Sequence, residues 1–132
     1  MKINIATTQD QSQRLLRCGV PADTADMCYD SGALSLMDYD SAVHERDSRR
    51  ERYEVIPAWS LSALMTKILP SNIRHEGHTS LLEITSSNWQ SDEQIWEVAY
   101  DIDLGVEASD PIEACVLMAE KLVANGYKLN EQ

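Results

Sequence analysis

The chain has 132 residues, 43% of them hydrophobic, and its 22 acids against 11 lysines and arginines set a net charge of −11. A chain of this length is read as one domain over residues 1–132, able to fold without a metal or disulfide staple. Its apolar runs are far too short to span a membrane, its start turns polar too soon for a secretory signal, and its three cysteines, without CxxC spacing, read as reduced thiols of a cytoplasmic protein.

In chain order, residues 1–6 carry Ile3 and Ile5 at strand spacing. The next segment has capping-box spacing at Thr8 and Gln11, an apolar side at Leu15 and Leu16, and a stop at Gly19, where Val20 can touch Leu15. This predicts a helix from Gln9 to Cys18. The stretch PADTADMCYDSG is turn-rich. Ala33 to Tyr39 alternates through Leu34 and Leu36, as part of a strand does. Residues 41–54 hold four arginines and four acids with few apolar residues, which predicts a solvated and mobile loop or hairpin tip. Tyr53 and Val55 then start a returning strand.

PAWSLSALMTKILP, Pro57 to Pro70, places Leu61, Leu64, Met65, Ile68 and Leu69 on one helical stripe. Trp59 lies off that stripe and could serve as an exposed hook for a partner. If Ser60 is the N-cap, however, Trp59 and Leu64 occupy the two positions of a hydrophobic staple, and the structural reading is preferred. TSLLEITS and QIWEVAYDIDL alternate as strands, the second with Trp96, Val98, Tyr100, Ile102 and Leu104 on one side. The polar SSNWQSDE between them fits a hairpin connection. The last helix starts at Asp110 and Pro111, with Glu113 completing the cap. It carries an apolar stripe of Ile112, Cys115, Val116, Ala119, Leu122 and Val123, and ends at Asn125-Gly126. These elements predict an α+β fold, a small antiparallel sheet centred on residues 81–86 and 94–104 with about three helices packed on one face.

Between His75 and Glu120 there is no lysine or arginine, and the same stretch holds eleven acids; the rest of the chain balances its charges. Such a field repels nucleic acid and anionic membrane and attracts basic partners. On the clearest strand pair, Glu83, Glu97, Asp101 and Asp103 are assigned to the wet face and are the expected protein-binding residues.

Other chemistry is thinly represented. His75 and His78 flank Glu76 and Gly77, and with the strand carboxylates they could ligate a metal. The spaced second ligand pair of a structural zinc site is absent, so a polar surface loop is the simpler reading. The five glycines are too scattered for a phosphate-binding loop. Cys115 belongs to the buried stripe, Cys18 sits at a helix C-terminus where the dipole disfavours a thiolate, and Cys28 falls in a turn. No nucleophile has a recognisable base, and no cofactor is expected.

TADMCY at Thr24 to Tyr29, PAWSLSALMTKILP, and ASDPIEACVLMAEKL at Ala108 to Leu122 together resemble a group of small prophage and mobile-element proteins of gut bacteria. That group shares a Pro-Ala/Cys-Trp-Ser-Leu helix start, a Trp-containing strand and an Asp/Asn-Pro-x-Asp/Glu-Ala helix start; here Glu113 stands where Asp is frequent. The shared residues are caps and core positions, so the resemblance implies a context and no activity. The expectation is a non-enzymatic accessory protein that binds a basic protein through its acidic segment, in a sharper version by mimicking a nucleic-acid backbone. The alternative is a metal-binding protein or metal-dependent enzyme using His75 and His78, and a third expectation is a homo-oligomer formed through paired sheet edges.

Overall fold

A computed structural model describes residues 4–87, 94–101 and 103–130, with the backbone alone at His75. The connection at 88–93, Ile102 and the first three residues of the expected N-terminal strand lie outside the described residues. Of that strand, Ala6 forms one antiparallel bridge with Ser60.

Helix α1 (Gln9–Arg17) starts with the anticipated reciprocal cap. The Gln11 N–H donates to Thr8 Oγ1 at 3.1 Å, and the Thr8 N–H donates to Gln11 Oε1 at 2.9 Å. Its end is a double turn. Gly19, at φ 90°, lets its own N–H and that of Val20 return to the carbonyls of Leu16 and Leu15 at 3.0 and 3.2 Å. The last helix, α4 (Pro111–Ala124), ends the same way through Gly126 and Tyr127. Its cap is Asp110, which accepts from the Ile112 N–H at 3.3 Å. Glu113 departs from its expected capping role. It turns to α1 and accepts from Gln11 Nε2 and Arg14 Nη1, at 2.9 and 2.8 Å. Arg14 also donates to Glu120 at 2.6 Å, so one guanidinium spans two carboxylates that lie seven residues apart on α4. Glu120 first, then Glu113, raise the Arg14 pKa further above its ordinary value.

The expected single sheet is three small antiparallel sheets. Strands β1 (Met27–Asp30), β2 (Ala33–Ser35) and β3 (Val55–Ala58) pair in the order β2-β1-β3. The turn-rich reading of PADTADMCYDSG missed β1, because four residues between turn signals show little alternation. A helix, α2 (Tyr39–Ser48), replaces the first part of the loop expected at 41–54, and residues 49–54 stay irregular. Asp38 caps it by accepting from the Ser41 N–H at 3.0 Å, and Ala42 packs against Cys28 and Val55 on one face of this sheet. One small buried residue with Tyr39 and Val43 beside it holds the helix down, which is too little to register as an amphipathic pattern in the sequence.

Strands β4 (Asn72–His75) and β5 (His78–Leu81) form a hairpin. Strands β6 (Glu83–Ser87), β7 (Ile95–Asp101) and β8 (Leu104–Ala108) form the third sheet in that order. The long run read as one strand to Leu104 therefore turns after Asp101 and returns as β8. Between β3 and β4, α3 (Leu61–Ala63) continues as a π-helical turn, Leu64–Ile68.

The main core lies between the inner face of the third sheet and the helices. Val98, Tyr100 and Leu104 meet Ile112, Cys115, Met118 and Leu122 of α4, with Leu15, Trp59, Leu64 and Ile68 closing the other sides. Because α4 is covered by the sheet and by α1 and α3, it buries more than its predicted stripe, adding Ala114 and Met118, while Val123 stays exposed. Among the described residues no helix is long and apolar enough to cross a membrane.

Candidate functional site

The third sheet has one face against α4 and one face open. In its register Glu83 lies opposite Ala99 and Ala99 opposite Gly105; one row along, Thr85 lies opposite Glu97 and Glu97 opposite Glu107. Side chains alternate across a strand, so these residues share the open face, while Ile84, Trp96, Val98 and Val106 turn toward the helices. A register shift between Ala99 and Asp101 ends the regular pairing there.

This face holds an open depression of about 580 Å³, lined among others by Leu81, Glu83, Glu97, Asp101 and the pair Ala99 and Gly105. The last two make a small-residue floor. A Cβ placed on Gly105 would stand 3.4 Å from the Ala99 Cβ and 4.0 Å from a Glu97 carboxylate oxygen. The floor is therefore low because these two positions lack bulk, and carboxylates rise around it. Among the described residues, Glu83, Glu97 and Glu107 form no ion pair. Lys121, the first base after the acidic segment, spends its ammonium on the Gly105 carbonyl at 3.1 Å. Glu97 and Glu107 stand directly opposite each other on neighbouring strands, an arrangement that costs stability in isolation.

Of the four expected binding residues, Glu83, Glu97 and Asp101 come together at the depression. Asp103 does not line it and sits exposed in the β7–β8 turn. Two participants were missed. Glu107 joins the face because β8 returns alongside β7, and that strand was not anticipated. Leu81, 65% exposed, brings an apolar side chain to the acidic rim. Three of the segment's other acids are used within the fold: Asp110 caps α4, and Glu113 and Glu120 hold Arg14. Those three belong to α4 and its cap, which pack on the sheet's other face, so they lie apart from the open face. Glu83, Glu97, Asp101 and Glu107 share the open face.

His75 and His78 are register partners across the β4–β5 hairpin, flanking a two-residue turn in which Glu76 and Gly77 have φ of 50° and 81°. They are strand ends rather than the loop expected. Among the described residues, no three His, Cys, Asp or Glu side chains are placed to hold a metal ion. The thiols are equally unpromising as nucleophiles. Cys28 lies in β1, not in a turn, and burial raises its pKa. Cys115 is buried under the third sheet, and burial first, then Asp110, push it up to about 12. Burial and the neighbouring Glu120 raise the Cys18 thiol, so all three favour the neutral form.

Comparison with known protein families, with curated proteins and with solved structures yields no match to this chain.

Proposed function

We propose that the protein is a non-enzymatic accessory factor of a phage or mobile element, and that it binds a basic partner protein through the open face of the third sheet. The carrying observation is the carboxylate pair Glu97 and Glu107, which has no ion pair among the described residues, with Glu83, Glu97 and Asp101 set around a floor of Ala99 and Gly105. Like charges held opposite each other without a counter-ion weaken a fold, so their placement makes physical sense where a basic partner supplies the missing charge. The low floor gives a lysine or arginine stem somewhere to lie, and Leu81 offers it apolar contact at the rim. The mobile-element context rests on the three stretches that resemble that group of proteins.

The sharper version, a mimic of a nucleic-acid backbone, loses support because Asp110, Glu113 and Glu120 are occupied within the fold. Four acids on one small sheet suit a short basic segment better than a long polyanion-binding groove.

The test is affinity capture from a host lysate, with wild-type chain and with Glu97→Gln/Glu107→Gln. The wild type should retain a basic protein in a salt-sensitive manner, and the double variant should bind it about ten-fold more weakly or worse. The same variant should be more stable than wild type by a few tenths to about 1 kcal/mol, because the repulsion is gone. Undiminished binding by the double variant, or capture of acidic partners only, overturns the proposal.

A further inference from the structure

Beside the C-terminal ends of α1 and α4 the surface opens into a groove of about 530 Å³, lined by residues 18–21, residues 127–130 and Val123 of α4. The fold holds this groove open. Glycine turns end both helices, and a Cβ built on Gly19 would find no atom within 4 Å. The segment after α4 is pinned at its two ends. The Tyr127 N–H donates to the Leu122 carbonyl at 2.9 Å. Asn130 donates through its N–H to the Ile68 carbonyl and through Nδ2 to the Leu69 carbonyl, both at 3.0 Å. Between these pins Tyr127 and Leu129 pack against the main core. A groove whose walls are anchored in this way is formed before anything enters it.

Its lining combines apolar surface with free positive charge. Val20, Pro21, Val123 and Leu129 supply the first, and Val123 is 40% exposed. No acid lines the groove, in a chain that carries 22 of them. Lys128 lines it, and Arg17 directly precedes the lining residue Cys18. Both bases are exposed, and neither forms an ion pair among the described residues. The Cys18 thiol, raised by burial and by Glu120, adds no negative charge. The helix ends would disfavour an anion if their carbonyls were bare, but the N–H groups of Gly19, Val20, Gly126 and Tyr127 return to carbonyls of each last turn.

We propose that this groove binds a small amphiphilic anion, a short apolar chain with one negative head group. The chain lies against Val20, Pro21, Val123 and Leu129, and the head group meets Lys128. Burying that chain supplies the affinity, and the charge supplies the selection. A net charge of −11 repels anions from most of this molecule, so a groove bare of acids and carrying an unpaired lysine is where one can settle. A cation finds no carboxylate among the lining residues and meets Lys128 instead. The inference does not depend on the acidic face of the third sheet, which shares no lining residue with this groove.

Calorimetric titration of the full chain with octanoate, kept below its micelle concentration, tests the proposal against 1-octanol as the neutral counterpart. Octanoate should saturate a single site, and octanol should bind about three-fold more weakly or worse. Lys128→Gln should remove that difference. Val123→Glu, at an exposed position that leaves the core intact, should abolish octanoate binding with unchanged circular dichroism. Glu97→Gln/Glu107→Gln should bind octanoate as wild type does. Alkylation with iodoacetamide locates the ligand independently. Octanoate should slow modification of Cys18, while Cys28 and Cys115, both 0% exposed, serve as internal references. Absence of saturable binding overturns the proposal. So does binding that survives Val123→Glu, or octanol binding as tightly as octanoate.

Discussion

Trp59 shows how a residue that looks like a hook is consumed by the fold. It is fully buried, and each of its polar groups is spoken for. The indole N–H donates to Thr24 Oγ1 at 2.9 Å, and the Thr24 hydroxyl in turn donates to the Pro21 carbonyl at 2.6 Å. The Trp59 backbone N–H donates to Thr7 Oγ1 at 3.0 Å, and its carbonyl accepts from the Thr7 N–H at 2.9 Å. Next to it, Ser60 Oγ accepts from the Ala63 N–H at 3.1 Å, which is the anticipated cap, and donates to the carboxylate of Asp26. Trp59 thus joins the start of α1, the turn before β1 and the start of α3. Thr24→Val keeps the shape of the site and strands the indole N–H in the core. It should destabilise the protein by about 1–3 kcal/mol, read as a lowered denaturant midpoint with an unchanged slope.

Two helices depart from their sequence patterns for opposite reasons. In α2 the hydrophobic signal is nearly absent and the local signals prevail. The Asp38 cap begins the helix, and Glu45 pairs with Arg49 at 2.7 Å across one turn. The hydrogen bonds from Ser41 hold the Asp38 carboxyl below the ordinary carboxylate range. A depressed carboxyl stabilises above its unfolded-state pKa, and that contribution is lost as pH falls through the folded one. Asp38→Ala should therefore loosen α2 at neutral pH by about 1 kcal/mol, seen as faster amide exchange over residues 41–48. The difference from wild type should shrink in acid. In α3 the apolar pattern is strong, but the backbone changes pitch. The Leu69 N–H donates to the Leu64 carbonyl, five residues back, at 2.8 Å. The wider turn brings Leu64, Ile68 and Leu69 into the core together and leaves Met65, expected on the same stripe, 38% exposed.

At the scale of the whole molecule, the core beneath the third sheet couples stability to alkaline pH. Tyr100 donates to the Pro70 carbonyl at 2.6 Å, and burial raises its pKa well above the ordinary phenol value. Cys115, in the same core, is pushed up to about 12. For groups raised in the folded state, the stabilisation is complete below the unfolded pKa and is lost as pH climbs toward the folded one. Denaturant midpoints should therefore hold steady to about pH 8.5 and then fall, with a slope of up to about 1.4 kcal/mol per pH unit for each group. Tyr100→Phe should flatten that fall, and at neutral pH it should cost roughly 1 kcal/mol for the unpaired Pro70 carbonyl.

What the amino-acid order determined by itself was local. Caps, helix ends and strand alternation depend on neighbours a few residues apart, so Thr8 with Gln11, Ser60 with Ala63, Asp110 with Pro111, and the 95–101 alternation could be read directly. The α+β class follows from those elements, and the stretch from His75 to Glu120 that lacks lysine and arginine is visible on inspection. Tertiary structure decided which of the acids lie together. Glu107 joins Glu97 only because β8 folds back beside β7, whereas Glu113 and Glu120 leave the patch only because α1 brings Arg14 across α4. It also decided that α2 forms a helix and that β2 ends a sheet, since both depend on what packs or fails to pack beside them. Pairing partners separated by tens of residues leave no periodic trace in the chain, and the division between buried, occupied and free carboxylates is settled by those partners alone.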